Sequence, residues 1–307
     1  MNFSSVIKEV GRGARGARGL DADAAREAFA ALLAGEVTEI QLGAWWLAMR
    51  IKGETPVELA AFVEAMQASL AWRVRSDKPV AVLPCYNGAR QLPNLTPLFA
   101  WALAQRGVKV LLHGVRRDPT RVATFELFSA LSFPIAEQAS EAERALTSVG
   151  MAFAPIDSIQ PQLAALLNRR WQIGVRSTPH TIAKLLLPTD GTAVRVVALT
   201  HGDYIERMSS YFASLPAARA LVFRGCEGEP VLHPKRAVPL HIFRNGTTVM
   251  HEWPGVAEHD LPDTHDIATT VAYIESVIRG ARPMPPWVDA LAQEVHDLTH
   301  EVHTDHS

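Results

Sequence analysis

The residues best placed to do chemistry are arginines. The stretch His113-Gly114-Val115-Arg116-Arg117-Asp118-Pro119-Thr120-Arg121 puts three arginines in six positions. Guanidinium forks match phosphate oxygens, and several on one loop focus a positive field. Arg90 follows Tyr86-Asn87-Gly88-Ala89, Arg224 opens Arg224-Gly225-Cys226-Glu227-Gly228-Glu229, and Asn168-Arg169-Arg170-Trp171 is followed by Val175-Arg176. An aromatic ring beside such cations, Trp171 or Tyr86, can stack on a base while its neighbours hold phosphates. Nearer the start, Gly11-Arg12-Gly13-Ala14-Arg15-Gly16-Ala17-Arg18-Gly19 has the form of a cationic arm that lies along a phosphate backbone.

Other chemistries are weaker. Loop 86–96 holds one glycine, where a phosphate cradle wants several, so it reads as an ordinary strand-to-helix connection. Thr96 as a helix cap still leaves amides that favour an anion. His113 has no carboxylate at a telling spacing and reads as a hydrogen-bonding histidine rather than a general base. Glu227 and Glu229 are a non-specific pair for a hard cation. Cys226 lacks an evident base and reads as a packing residue. The tail carries His296, His300, His303 and His306. Two histidines four apart on a helix can share a metal, but the plainer reading is a solvated acidic tail.

These loops need a scaffold. Leu20–Leu33 reads as a helix capped by Asp21 and ended by Gly35. Thr38-Glu39-Ile40-Gln41 and Thr55-Pro56-Val57-Glu58 have the form of capping boxes, the second with proline in the first turn. Leu59, Phe62, Val63, Met66 and Leu70 recur at helical spacing. After residue 72 the pattern changes to apolar runs at 79–83, 108–112, 194–199 and 220–223, separated by helical stretches. That alternation predicts a parallel sheet with crossover helices. Asp118-Pro119 is expected to start a helix running to about Leu131. Residues 239–253 read as a hairpin around Gly246, helices are expected at about 161–171 and 179–187, and the last fall at about 264–279 and 286–302. Ligands of open α/β sheets bind outside the carboxyl ends of the strands, which here means loops 84–96, 113–121, 200–206 and 224–236.

With 307 residues, 48% of them hydrophobic and 20% charged, the chain has an ordinary globular composition of one to two domains. Its two cysteines build no disulfide framework, no signal peptide is visible, and a reducing cytoplasm is expected. No apolar stretch approaches the roughly 18–20 residues of a membrane span. The formal net charge of −2 excludes a uniformly basic nucleic-acid coat. It conceals segregation, however. Residues 160–245 hold eleven basic and five acidic residues, whereas 246–307 hold two and eleven. A basic cleft balanced by an acidic C-terminal region is the expected arrangement.

Gly35-Glu36, Gly43-Ala44 and above all Lys52-Gly53-Glu54-Thr55-Pro56-Val57-Glu58 resemble the N-terminal helical domain of the anthranilate phosphoribosyltransferase family, glycosyltransferase family 3. The later loops fall in that family's order, so the resemblance spans nearly the whole chain. It implies an α/β fold with a small helical domain and a larger domain, whose mostly parallel central sheet is flanked by helices. The implied division is 1–75 plus about 160–187 for the helical, dimer-forming domain, and 76–159 plus 188–307 for the α/β domain. The family's catalytic motifs are altered. Its Gly-Thr-Gly-Gly-Asp falls on Tyr86-Asn87-Gly88-Ala89-Arg90, and its Asn-x-Ser-Thr on Asn94 to Pro97 with Asn94 and Thr96 retained. Its Lys-His-Gly-Asn-Arg falls on Leu112 to Arg116, its metal-binding Asp-Glu on Pro230 and Val231, and its acceptor-carboxylate arginine on Arg176. These departures, with Gly11-Arg12-Gly13 and Pro93-Asn94-Leu95-Thr96-Pro97, are similar to a YbiB-type subgroup described as DNA-binding.

The resulting expectation is a non-enzymatic homodimer that binds nucleic acid without strong sequence preference: single-stranded DNA, or else duplex DNA or RNA. Its phosphate contacts would be Arg12, Arg15, Arg18, Arg90, Arg116, Arg117, Arg121, Arg169, Arg170, Arg176 and Arg224, with Tyr86 or Trp171 stacking on a base. No cofactor, metal or membrane partner is expected. The rival reading is an active phosphoribosyltransferase using His113, Asn94, Thr96 and Arg176, with magnesium held by Glu227 and Glu229. A third is a protein scaffold using the acidic C-terminus.

Overall fold

The computed structural model describes residues 2–13 and 15–300; His303 and His306 lie outside this range. In chain order, helices α1 (Phe3–Val10), α2 (Ala22–Ala34), α3 (Glu39–Lys52) and α4 (Pro56–Ala68) come first. Then follow β1 (Val80–Cys85), α5 (Thr96–Gln105), β2 (Lys109–Gly114), α6 (Thr124–Ala130), α7 (Ala139–Ser148), β3 (Met151–Pro155) and α8 (Ile156–Ile159). Three helices, α9 (Pro161–Asn168), α10 (Arg170–Ile173) and α11 (Thr178–Ala183), precede β4 (Ala193–Leu199), α12 (Gly202–Ala213) and β5 (Ala220–Arg224). The chain ends with β6 (Val238–Arg244), β7 (Thr247–Trp253), α13 (Ile267–Ile278) and α14 (Pro286–His300). It divides into two compact units, Met1–Ala71 with Gln160–Leu186, and Trp72–Ile159 with Leu187–Ser307.

The smaller unit is all-helical. Asp21 accepts the Ala24 amide at 2.8 Å, and Gly35 closes α2 at φ 71°, a left-handed turn that glycine adopts without strain. Both capping boxes form, at Thr38/Gln41 and Thr55/Glu58. Phe29, Trp45, Trp46, Met49 and Phe62 fill the interior. The conspicuous run 52–58 is a clasp. The buried Glu58 carboxylate accepts the Leu20 amide at 3.0 Å, the Thr55 amide at 2.8 Å and Lys52 Nζ at 2.6 Å. Glu54 accepts the Thr178 hydroxyl at 2.7 Å, which ties the run to the inserted segment. Those identities hold helices together.

The larger unit is built on a seven-stranded sheet in the order β3-β2-β1-β4-β5-β6-β7. The first five are parallel, and β6 and β7 run antiparallel as a hairpin. β1 and β3 are buried throughout, as expected of strands covered on both faces. Asn245 and Gly246 take φ 47° and 76°, the left-handed pair that a two-residue hairpin turn needs. The chain leaves β1 toward β2 on one side and reaches β4 on the other, so a topological switch point lies between β1 and β4.

Two local expectations need correction. The helix expected from Asp118 begins at Thr124 instead. Asp118 Oδ1 accepts both the amide and hydroxyl of Thr120 at 2.9 Å, making a side-chain turn, and Val122 pairs with the Ala89 backbone in extended form. Strand β3, Met151-Ala152-Phe153-Ala154-Pro155, escapes sequence reading, because alanines and a proline dilute its apolar run.

Candidate nucleic-acid interface

In the larger unit the loop after β1 turns its backbone amides toward one place, as an anion cradle does. The protein's own carboxylates fill it. Glu229 Oε1 accepts the amides of Asn87 and Gly88 at 2.7 and 2.8 Å, and its Oε2 accepts the Thr124 hydroxyl at 2.6 Å. Glu227 accepts the amides of Arg90, Gln91 and Leu92 at 2.9–3.2 Å. The turn that delivers both glutamates holds Glu227 at φ 53° and Gly228 at φ 87°, and a Cβ on Gly228 would collide with the Asn87 side chain. Glu227 and Glu229 are therefore not the cation pair that their spacing suggests: their oxygens already serve backbone and hydroxyl donors.

The residues of the rival transferase reading are internal as well. His113 and Thr96 are fully buried. Asn94 donates to Thr124 Oγ1 at 3.0 Å and accepts the Thr96 amide at 3.1 Å. Tyr86 is only 3% exposed; its hydroxyl shares a 2.7 Å hydrogen bond with His113 Nδ1, and the rings meet edge-on. Burial raises the Tyr86 phenol well above its ordinary pKa. The expectation that Tyr86 stacks on a base is corrected here, because neither ring face is offered to solvent. Burial, then the Glu227 charge, pushes the Cys226 thiol up to about 12, which leaves it inert as a nucleophile.

The arginines differ in how far internal acids engage them. Arg116 is committed: it donates to both Glu137 oxygens at 2.8 and 2.7 Å and to Asp157 at 2.9 Å. Its pKa is raised chiefly by Glu137, with burial opposing and Asp157 adding. Arg121 donates to the Gly88 carbonyl at 3.2 Å and sits 3.9 Å from Glu227. Arg169 pairs with Glu39 at 2.8 Å, and Arg12 with Glu9 at 2.6 Å. Arg15, Arg18, Arg90, Arg117 and Arg224 are exposed.

Two histidines report local fields. In the smaller unit, burial and then the charges of Arg176, Arg170 and Arg50 hold His180 well below its ordinary pKa. Both of its ring nitrogens are buried without a hydrogen-bond partner, beside Trp46. Next to this cluster Trp171 is 50% exposed, with the Arg170 guanidinium 4.1 Å from its ring centroid. In the larger unit, burial and then Arg236, His259 and Arg224 hold His233 down to about 4. A histidine held neutral in each place, with arginines among the causes, marks a locally positive field. Sequence reading missed Arg50, His180, His233 and Arg236. The adjacent pair Lys235-Arg236, both exposed in the loop after β5, was the available signal.

The His233 shift gives a pH expectation. Its folded pKa near 4 lies below the ordinary 6.5, so between those values the unfolded chain binds the proton more readily. Its contribution therefore lowers stability as pH falls from about 6.5 toward 4. Urea unfolding at pH 7 and pH 5 should show a smaller pH dependence in His233→Gln than in the parent.

A doubly wound sheet with a helical companion unit and anion-directed strand-end loops defines a phosphoribosyltransferase-type architecture. Residues 4–70 match the glycosyl transferase family helical bundle domain. The chain is 38% identical over 290 residues to the uncharacterized protein YbiB of Escherichia coli (strain K12), covering 93% of this chain and 90% of that one. It is 25% identical over 225 residues to the anthranilate phosphoribosyltransferase of Persephonella marina (strain DSM 14350 / EX-H1), covering 73% of this chain and 66% of that enzyme. The crystal structure of anthranilate phosphoribosyltransferase from Thermus thermophilus superposes with a TM-score of 0.75 at 22% identity, covering 98% of this chain and 94% of that one. The chain belongs to glycosyltransferase family 3, with the fold of anthranilate phosphoribosyltransferase. No helix of the described residues is long and apolar enough to cross a membrane.

Proposed function

We propose that this protein binds nucleic acid without strong sequence preference, as a cytoplasmic homodimer, and does not transfer phosphoribosyl groups. The observation that carries this reading is the pair of arginine fields that keep His180 and His233 neutral, the first beside the exposed Trp171. A field positive enough to keep a histidine neutral attracts phosphate oxygens, and an exposed indole stacks on a base whatever its identity. Neither contact reads sequence. The self-filled cradle supports the negative half of the proposal. A pyrophosphate would have to displace two carboxylates from five backbone amides, and its like charge repels them.

The test is fluorescence anisotropy with mixed-sequence single-stranded DNA, duplex DNA and RNA across a salt series. Log affinity should fall linearly with log salt, by about 0.7 per phosphate contact for a single strand and about 0.9 for a duplex. Binding without a salt slope would sink the proposal. Calorimetry with phosphoribosyl diphosphate and magnesium should give no heat of binding, and tight binding there would restore the transferase reading.

The homodimer rests on α3. Ile40, Leu47 and Ile51, 86%, 48% and 71% exposed, recur at helical spacing and form one apolar row in the smaller unit. A second copy burying this row is the expected occupant. Sedimentation should give a dimer that Leu47→Arg/Ile51→Arg converts to a monomer.

A further inference from the structure

We propose that the last helix, α14, carries an exchangeable site for a divalent first-row transition metal such as Zn2+ or Cu2+, built on His296 and His300. The two imidazoles stand one helical turn apart with ring centroids 3.9 Å from each other and planes inclined by 29°. Ring atoms on such a pair converge on the same space, which is the geometry that lets two histidines four apart share one ion.

What raises this above a chance pair is the state of each Nδ1. That of His296 lies 3.0 Å from Asp297 Oδ1, and that of His300 lies 2.9 Å from the His296 carbonyl oxygen. A carboxylate and a carbonyl only accept, so in the neutral ring each Nδ1 carries the proton and each Nε2 carries the lone pair. A metal-binding histidine needs that outer arrangement: the far nitrogen donates to an oxygen, which fixes the tautomer and makes the near nitrogen more basic. Asp297 is itself steadied by the Gln293 side-chain amide at 2.7 Å. His300 lies in the last turn, where the helix dipole favours a cation. Imidazole nitrogens select zinc, copper or nickel over magnesium or calcium, which take oxygen ligands. With two protein ligands the ion keeps open positions, so this is a labile site and not a closed structural cage. It uses none of the residues assigned to nucleic-acid binding, so it stands or falls separately from that reading.

The test uses the full, tag-free chain. Zinc titration by calorimetry should give one leading site per chain, and bound Cu2+ should show electron paramagnetic resonance couplings from two equivalent imidazole nitrogens. His300→Ala removes one arm of a chelate and should weaken zinc binding on the order of a hundredfold. Asp297→Asn, which changes only the outer partner, should weaken it about tenfold. His300 is exposed, so these variants should melt like the parent in the absence of metal. Unchanged zinc affinity and copper spectrum in His296→Ala/His300→Ala overturn the proposal. So does loss of the leading site in His303→Ala/His306→Ala with the first pair intact.

Discussion

Replacing Glu229 with alanine should lower the stability of the larger unit by about 3–5 kcal/mol, among the largest effects of any single substitution in the chain. The carboxylate is 1% exposed and serves three donors, the amides of Asn87 and Gly88 and the Thr124 hydroxyl. Alanine leaves all three buried and unpaired, and each orphaned donor costs about 1–3 kcal/mol. Glutamine provides the control. Its carbonyl oxygen can still accept both amides, while its NH2 group faces Thr124, whose hydroxyl can rotate to accept. Glu229→Gln should therefore cost about 1–2 kcal/mol, well below the alanine variant. Urea unfolding followed by circular dichroism measures both. If the alanine variant lies within about 1 kcal/mol of the parent, the carboxylate is not what holds the loop after β1.

This clasp illustrates what the sequence could and could not reveal. The parallel sheet was legible because buried strands are continuous apolar runs, and the helix starts were legible because capping boxes are local. Thr38/Gln41 and Thr55/Glu58 each sit three residues apart and form as read. The site depends on pairs far apart in the chain. Glu229 meets Asn87 across 142 residues, and nothing in Glu227-Gly228-Glu229 distinguishes a cation pair from a plug for backbone amides. Tyr86 misleads for the same reason. An aromatic in a loop offers a stacking face only if no partner covers it, and His113 on the neighbouring strand does. Arg116 carries the lesson for charge. Its value as a phosphate contact depends on Glu137 and Asp157, 21 and 41 residues away.

That difference among arginines sets the second large effect. The charge reversals Arg170→Glu/Arg176→Glu in the smaller unit and Arg224→Glu/Arg236→Glu in the larger should each weaken single-stranded DNA binding on the order of ten- to a hundredfold. Each should lower the salt slope by about 0.7 per lost contact, evenly across sequences. Arg116→Glu should leave affinity and slope nearly unchanged, because its guanidinium already satisfies two carboxylates and presents little net charge to a phosphate. Its effect should fall on thermal stability, where it sets three acids against one another. Anisotropy titrations at two salt concentrations separate these outcomes. If Arg116→Glu costs as much affinity as the two double variants, overall charge governs binding and the histidine-marked clusters have no special role. If only the double variants lose affinity, the local fields at His180 and His233 are where the phosphates sit. In that case the near-neutral charge of the whole chain is compatible with polyanion binding, because long-range potential at a Debye length of about 10 Å is set by nearby charges and not by the total.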